Sequence, residues 1–123
     1  MNIPKIFESE YRFCEILWEN EPISSTELVR LCAEQLEWKK STTYTVIRRL
    51  SERGVIKSED AIVTSLVSRE EAQSAESKEV VERTFNGSLP QFIAAFTRQQ
   101  NLTESELDKI QKMIDDYRRE QHE

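Results

Sequence analysis

The chain has 123 residues, a formal net charge of −6, 37% hydrophobic residues and 33% charged residues. This length suffices for one domain, or for one small domain with an extension, around a modest core. Two glycines and three prolines leave little material for tight turns, which favours long helices over a sandwich or a barrel. No apolar run approaches a membrane span and the N-terminus lacks a signal-peptide pattern, so we expect a cytoplasmic protein without a membrane partner.

The residue types that usually carry chemistry are sparse. Cys14 and Cys32 lie in helical apolar patterns without another Cys or His at ligand spacing, so we interpret both as buried, reduced thiols. The only histidine, His122, is next to the C-terminus, and we expect it to be solvated. With Gly54 and Gly87 as the only glycines there is no glycine-rich phosphate loop, and no nucleophile has a histidine to activate it. The sequence therefore predicts a binding protein and not an enzyme, with no metal and no cofactor.

The first half of the chain predicts three helices, of which two precede residue 37. Apolar residues at spacings of three and four predict a first helix from about Phe7 to Glu19, which Pro22 ends. Ser24 and Glu27 have the spacing of a capping box and predict a second helix that runs to about Leu36.

The stretch from Trp38 to Gly54 predicts the third helix and sorts its residues by chemistry. Gly54 suits the left-handed position that closes a helix. One side of the helical wheel is suited to a core and the opposite side carries hydroxyl and basic groups. The side suited to a core comprises Thr43, Val46, Ile47 and Leu50.

A small hairpin follows the third helix. β-Branched residues flank Ser58-Glu59-Asp60 on both sides, which predicts strands that meet in a turn at these three residues. Three helices followed by a hairpin is the order of a winged helix-turn-helix, and we assign residues 1–67 to such a domain.

Residues 68–123 predict a second, helical domain. Ser68 and Glu71 fit a capping box before a polar helix that ends near Phe85, and Thr103 and Glu106 fit another before the final helix, with a short apolar helix between them. These three short helices cannot easily bury their apolar faces alone, which predicts pairing with a second copy; packing against the N-terminal domain is the alternative. The predicted dimerisation residues are Phe85, Leu89, Phe92, Ile93, Phe96, Leu107, Ile110 and Ile114.

Residues 37–57 form a basic island in an acidic chain. Six basic and two acidic residues give this stretch a charge of +4, which leaves −10 for the remainder of the chain. A helix that reads DNA needs side chains that reach bases from the major groove and cations that contact phosphates. We predict DNA binding by Lys39, Lys40, Ser41, Thr42, Tyr44, Thr45, Arg48 and Arg49. A surface or capping role is the alternative for each hydroxyl, and Ser41 in particular is either the helix N-cap or a DNA contact.

The order of these segments resembles the penicillinase-repressor family, of BlaI, MecI and CopY type. The matching residues are Ile16-Leu17-Trp18, Ser25-Thr26-Glu27-Leu28, Trp38, Thr42 to Leu50, Arg53-Gly54, Leu66 to Glu71, Phe85 to Ser88, Phe96 and Leu102 to Leu107. The resemblance implies a winged-helix DNA-binding domain, a helical dimerisation domain and repression at an operator with dyad symmetry. It also implies release by proteolysis between the domains or, in the copper-responsive branch, by metal at a cysteine cluster.

The chain departs from the family pattern in three places. The family's Trp-Ser-Pro-Lys-Thr segment is here Trp38-Lys39-Lys40-Ser41-Thr42. The wing is short and its tip, Glu59-Asp60, is acidic, so we expect no phosphate contacts from it. The Asn-Phe bond that is cut in β-lactam repressors aligns with Ala95-Phe96, and the C-terminal region lacks a cysteine cluster. A protease sensor is therefore not supported at Ala95-Phe96, and neither route of induction is transferred to this chain.

The sequence thus predicts a mainly α-helical protein, with a winged helix-turn-helix followed by a helical dimerisation domain. Its predicted function is that of a homodimeric transcriptional repressor that binds double-stranded operator DNA through its third helix. The alternative is a winged-helix module that binds a protein and not DNA, which the acidic total charge and the acidic wing favour.

Overall fold

The computed structural model describes residues 2–122. The chain is mainly helical, with elements in the order α1 (Glu8–Asn20), β1 (Ile23–Ser24), α2 (Ser25–Leu36), α3 (Lys40–Glu52), β2 (Ile56–Glu59), β3 (Ile62–Ser65), α4 (Arg69–Phe85), α5 (Leu89–Gln99) and α6 (Glu104–Gln121). This architecture confirms the predicted fold class of a winged helix followed by further helices. Within residues 2–122, no helix has both the length and the apolar character needed to cross a bilayer.

The chain divides into two compact units between Lys78 and Glu79, inside α4. The first unit contains α1 to α3, the sheet and the start of α4, and the second contains the end of α4 with α5 and α6. The position of the functional boundary, predicted between residues 67 and 68, stays a prediction.

The core of the first unit lies between α1, α2, α3 and the sheet. The predicted inward side of α3 is confirmed, since Thr43, Val46, Ile47 and Leu50 are all buried. The aromatic ring of Phe13 on α1 stacks on Trp38, with ring centroids 6.2 Å apart. This stacking joins the connection between α2 and α3 to the first helix.

Both cysteines are free and buried in this core, as predicted. Burial raises the pKa of the Cys14 thiol to about 12, and the nearby Glu10 carboxylate adds to this effect. Burial also raises the pKa of Cys32, which the neighbouring Thr43 hydroxyl opposes. Both thiols therefore pack as small hydrophobic groups.

The local signals at the helix ends are confirmed by hydrogen bonds. At α2 the Ser24 hydroxyl accepts from the Glu27 amide at 3.1 Å, which is one half of the predicted capping box, while the Glu27 carboxylate accepts from Arg30 instead. Reciprocal capping boxes open α4, through Ser68 and Glu71, and α6, through Thr103 and Glu106.

Gly54 closes α3 in the predicted left-handed conformation, with φ of 81°. Its amide donates to Ser51 O at 3.1 Å and the Val55 amide donates to Leu50 O at 2.9 Å. These two bonds form a Schellman motif, and Leu50 and Val55 are both fully buried beside it. The chain therefore leaves α3 in a fixed direction toward the wing.

The wing differs from the prediction in two respects. Its turn consists of Asp60 and Ala61, so the expected turn at Ser58-Glu59-Asp60 is wrong: β2 continues through Glu59, which pairs with Ile62. Asp60 and Ala61 have φ of 53° and 63°, the conformation of a two-residue type I′ turn whose twist matches that of the strands. The second difference is an unpredicted strand, β1, which pairs with β3 and gives a three-stranded antiparallel sheet of order β1-β3-β2.

The three helices predicted for residues 68–123 are present, and α4 ends at Phe85 as predicted. The helices α4, α5 and α6 have 17, 11 and 18 residues. The rings of Phe85 and Phe92 meet edge to face at 5.6 Å, and Phe92 and Phe96 lie 6.2 Å apart. The contact between Phe85 and Phe92 joins the end of α4 to α5.

Candidate nucleic-acid interface

The connection between α2 and α3 is short, as in helix-turn-helix proteins. It comprises residues 37–39, and Glu37 adopts the left-handed conformation with φ of 58°. The amide of Glu37 bonds to Cys32 O, and the Trp38 amide bonds to the same oxygen at 3.3 Å. These bonds end α2 and set the point where α3 begins.

The first turn of α3 lacks a side-chain cap. Lys39 occupies the N-cap position with extended backbone, and its carbonyl accepts from the Thr43 amide at 3.1 Å. The reading of Ser41 as N-cap is therefore wrong, because Ser41 already lies within the helix. Lys40 is the first residue of the helix, and Lys39 alone precedes it. The uncapped first turn leaves amide groups that favour an anion from a partner.

The predicted DNA-binding residues lie on the solvent side of α3 and its N-terminus. Seven of them are exposed and Thr45 is half-buried; the exposed residues are Lys39, Lys40, Ser41, Thr42, Tyr44, Arg48 and Arg49. The Lys40 ammonium lies 5.9 Å from the centroid of the Tyr44 ring. The helix thus brings the eight residues together, and their contact with DNA stays a prediction.

The basic island separates into paired and unpaired cations. Arg53 pairs with Glu10, and Lys57 pairs with Glu59 at 2.7 Å. The hydrogen bond from Lys57 raises its own pKa and lowers that of the exposed Glu59 carboxyl. In the part of the chain that the structure describes, the remaining four basic residues form no ion pair; these are Lys39, Lys40, Arg48 and Arg49. Within the basic island, the unpaired positive charge therefore lies on α3 and at its N-terminus.

Arg53 has a structural role that the sequence did not reveal. Its guanidinium pairs with the buried Glu10 carboxylate, donates to Lys5 O at 3.0 Å and lies 5.1 Å from the Phe7 ring centroid. Glu10 also accepts from the Phe7 amide at 2.9 Å. The arginine thereby joins the end of α3 to the start of α1. No local pattern indicates this contact, because Arg53 and Glu10 are 43 residues apart.

The wing has little positive charge to offer a phosphate. Its tip residues Glu59 and Asp60 are exposed, and its one basic residue, Lys57, already pairs with Glu59. This arrangement agrees with the expectation that the wing makes no phosphate contacts, which stays a prediction.

A second candidate surface lies on the helices of the second unit. No residue of α5 or α6 within the described range is buried, although both helices carry large apolar side chains. Phe85 and Phe92 are half-buried, and the other six predicted dimerisation residues are 41% to 57% exposed: Leu89, Ile93, Phe96, Leu107, Ile110 and Ile114. Met113 and Tyr117 were missing from that set and are 67% and 63% exposed. Their helical spacing from Ile110 places Met113 and Tyr117 on the same side of α6 as Ile110.

Comparison with known proteins gives matches along nearly the whole chain. A family model described as penicillinase repressor matches residues 6–116. The chain is similar to the penicillinase repressor of Bacillus licheniformis, with 18% identity over an alignment that covers 98% of both chains. It is also similar to the methicillin resistance regulatory protein MecI of Staphylococcus aureus, with 23% identity over 89% of this chain and 93% of the relative. An uncharacterised 16.5 kDa protein of Latilactobacillus sakei is 26% identical over 92% of this chain and 80% of its own length.

We expect Arg49 and Arg53 to contribute differently to the free energy of unfolding. Arg53→Ala should lower the free energy of unfolding by about 2 kcal/mol, because it leaves the Glu10 carboxylate buried without its cation. Arg49→Ala is the matched control and should change stability by less than about 0.5 kcal/mol, since its side chain is exposed and unpaired in residues 2–122. Urea unfolding followed by circular dichroism measures both. Equal stabilities of the two variants would contradict the structural role of Arg53.

Proposed function

Because the chain belongs to the penicillinase repressor family, we propose that it represses transcription as a homodimer on a pseudo-palindromic operator, with each α3 in one major groove. The observation that carries this proposal is the solvent side of α3. It presents the four basic residues of the island that form no ion pair within residues 2–122, beside an uncapped helix N-terminus, in a chain of net charge −6. A repressor of this kind works in the cytoplasm, where its operator is.

The proposed DNA contacts divide by chemistry. Lys39 and Lys40 stand at the N-terminus of α3, where the helix dipole also favours a phosphate. Arg48 and Arg49 contact phosphates, or one of them binds a guanine edge through its two donor groups. The remaining side chains contact base edges and the nearby DNA backbone; these are Ser41, Thr42, Tyr44 and Thr45.

The proposed dimer forms through the exposed apolar side chains of the C-terminal region. Their contiguity in sequence and their exposure support this, because monomeric proteins rarely leave so many large apolar groups in water. A two-fold interface would bury one such surface against its copy and match the dyad of the operator. We accordingly retain residues 1–67 as the DNA-binding domain and 68–123 as the dimerisation domain.

A protein-binding module without DNA affinity is the second candidate function. The acidic wing tip, Glu59 and Asp60, favours it, since these carboxylates would repel phosphates. Salt dependence separates the two functions: phosphate contacts weaken steeply as salt rises, and an apolar protein contact does not.

Release by proteolysis does not form part of this proposal. The Ala95-Phe96 bond lies inside α5, and Ala95 replaces the asparagine of the cleaved family members. The inducing signal is therefore left open, and a protease sensor is not proposed as a partner.

The DNA claim is tested by fluorescence anisotropy with promoter DNA from the gene's own locus, over a series of salt concentrations. We expect Lys39→Ala to weaken binding and to lower the salt slope by about 1, as for the loss of one phosphate contact. Arg48→Ala combined with Arg49→Ala should weaken binding by about 100-fold, on the scale of one or two lost charged contacts.

Lys57→Ala is the control for these variants, because Lys57 pairs with Glu59 on the wing. The DNA affinity of this variant should stay within about twofold of that of the parent protein. Absence of binding at micromolar protein and low salt, or unchanged affinity of the double arginine variant, would refute the proposed contacts.

The dimer is tested by analytical ultracentrifugation at tens of micromolar chain. The parent should sediment at twice the mass of the chain, and Ile110→Glu should sediment as a single chain that keeps its helical circular dichroism. The reason is that a charge in the centre of a buried interface stays unpaired.

Lys112→Gln makes the same change in net charge on the other side of α6, and it should remain dimeric. A monomeric parent, or an Ile110→Glu variant that stays dimeric, would argue against this interface.

A further inference from the structure

The segment between β3 and α4 is held by a contact from the first helix. The indole Nε1 of Trp18 donates a hydrogen bond to Val67 O at 2.9 Å, across 49 residues of sequence. Val67 is itself buried in the core, and Ser68 after it is the N-terminal residue of the capping box that opens α4. Trp18 therefore holds the chain between β3 and α4.

The first residue of α4 lies over the same indole. The guanidinium carbon of Arg69 is 5.6 Å from the centroid of the Trp18 ring, and Arg69 Nη2 is 3.5 Å from Glu19 Oε1. Both partners of Arg69 belong to α1. The Trp18 ring is in turn held edge to face by Tyr11, at a centroid distance of 5.4 Å. The Trp18 side chain thus contacts both Val67, which follows β3, and Arg69, the first residue of α4.

The buried part of α4 lies near its beginning. Ala72 is buried in the core, and it is the only buried residue among those of α4. The direction in which α4 leaves the winged helix therefore depends on three contact points: Val67, Arg69 and Ala72.

We propose that Trp18 and Arg69 form a clamp that fixes the direction of α4 and thereby makes the dimer selective for one spacing between operator half-sites. This inference rests on the proposed function, since it requires two winged helices joined through their C-terminal regions. Neither residue needs to touch DNA, and both act as positioning residues.

The physical basis is the effective concentration of the second winged helix at its half-site. A linkage that holds the second winged helix in the correct position gives high affinity at that spacing and low affinity at others. A looser linkage spreads the second winged helix over many positions. The affinity for DNA of the preferred spacing is then lower, and the loss of affinity at other spacings is smaller.

The clamp is tested with DNA duplexes that the parent protein selects from a random-sequence pool. Three duplexes are compared: the selected palindrome, the same palindrome with about two base pairs inserted between its half-sites, and a single half-site. We expect the insertion to weaken parent binding by about 100-fold and Arg69→Ala binding by only about tenfold. Binding to the single half-site should be equal for both proteins within about twofold, because α3 is unchanged.

Two further variants sharpen the test. Trp18→Phe keeps a ring beneath Arg69 but removes the donor to Val67 O, so it should shift the spacing preference in the same direction as Arg69→Ala. Arg83→Ala, at the other end of α4, removes an ion pair with Glu79 that lies within that helix and should behave as the parent.

An unchanged spacing preference in Arg69→Ala would overturn the clamp while leaving the repressor function intact. Equal losses on the half-site and on the palindrome would also overturn it, because they indicate damage to the winged helix and not to its positioning. A parent protein that selects no DNA, or that is monomeric, would refute the proposed function and the clamp together.

Discussion

Burial of the apolar side of α3 is the constraint on which the rest of the structure depends. Val46, Ile47 and Leu50 enter the core, and this fixes the rotation of the helix about its axis. The opposite side, with its hydroxyl groups and cations, is then presented to solvent without any further device. The two ends of α3 are held independently, by the turn after α2 and by the Schellman motif at Gly54. A DNA-reading element requires a rigid helix with one buried and one solvent-exposed side, because its side chains are then held in position before DNA binds.

Most of the basic residues of the island that form no ion pair in the described part of the chain lie on this one helix. Of the six basic residues between positions 37 and 57, Arg53 is used to hold α3 against α1 and Lys57 is used within the wing. In the proposed complex, the acidic remainder of the chain would repel DNA and lower the non-specific affinity, so that the contacts of α3 would determine where the protein binds. If the wing makes no phosphate contacts, as predicted, this winged helix binds DNA with a smaller positive surface than a protein that also binds phosphates through its wing.

Features set by neighbouring residues could be predicted from the sequence, and features set by distant ones could not. The capping residues Ser24, Ser68 and Thr103, the closing Gly54 and the buried side of α3 are all local patterns of a few residues. The family resemblance, carried by the order of these patterns, is likewise confirmed. In contrast, β1 has only two residues and exists because β3 pairs with it, and the turn at Asp60 and Ala61 follows from the register of two strands. The contacts of Arg53 with Glu10 and of Trp18 with Val67 span 43 and 49 residues, so no local spacing indicates them.

The most direct test of the account is a titration of the isotopically labelled protein with its selected operator, followed by NMR. We predict that amide signals from residues 39–49 change most, because in the proposed complex the uncapped N-terminus and the solvent side of α3 meet the DNA. Signals from the wing tip, Glu59 and Asp60, should change little. Changes confined to the wing, or to the helices of the second unit, would contradict the assignment of α3 as the element that binds DNA.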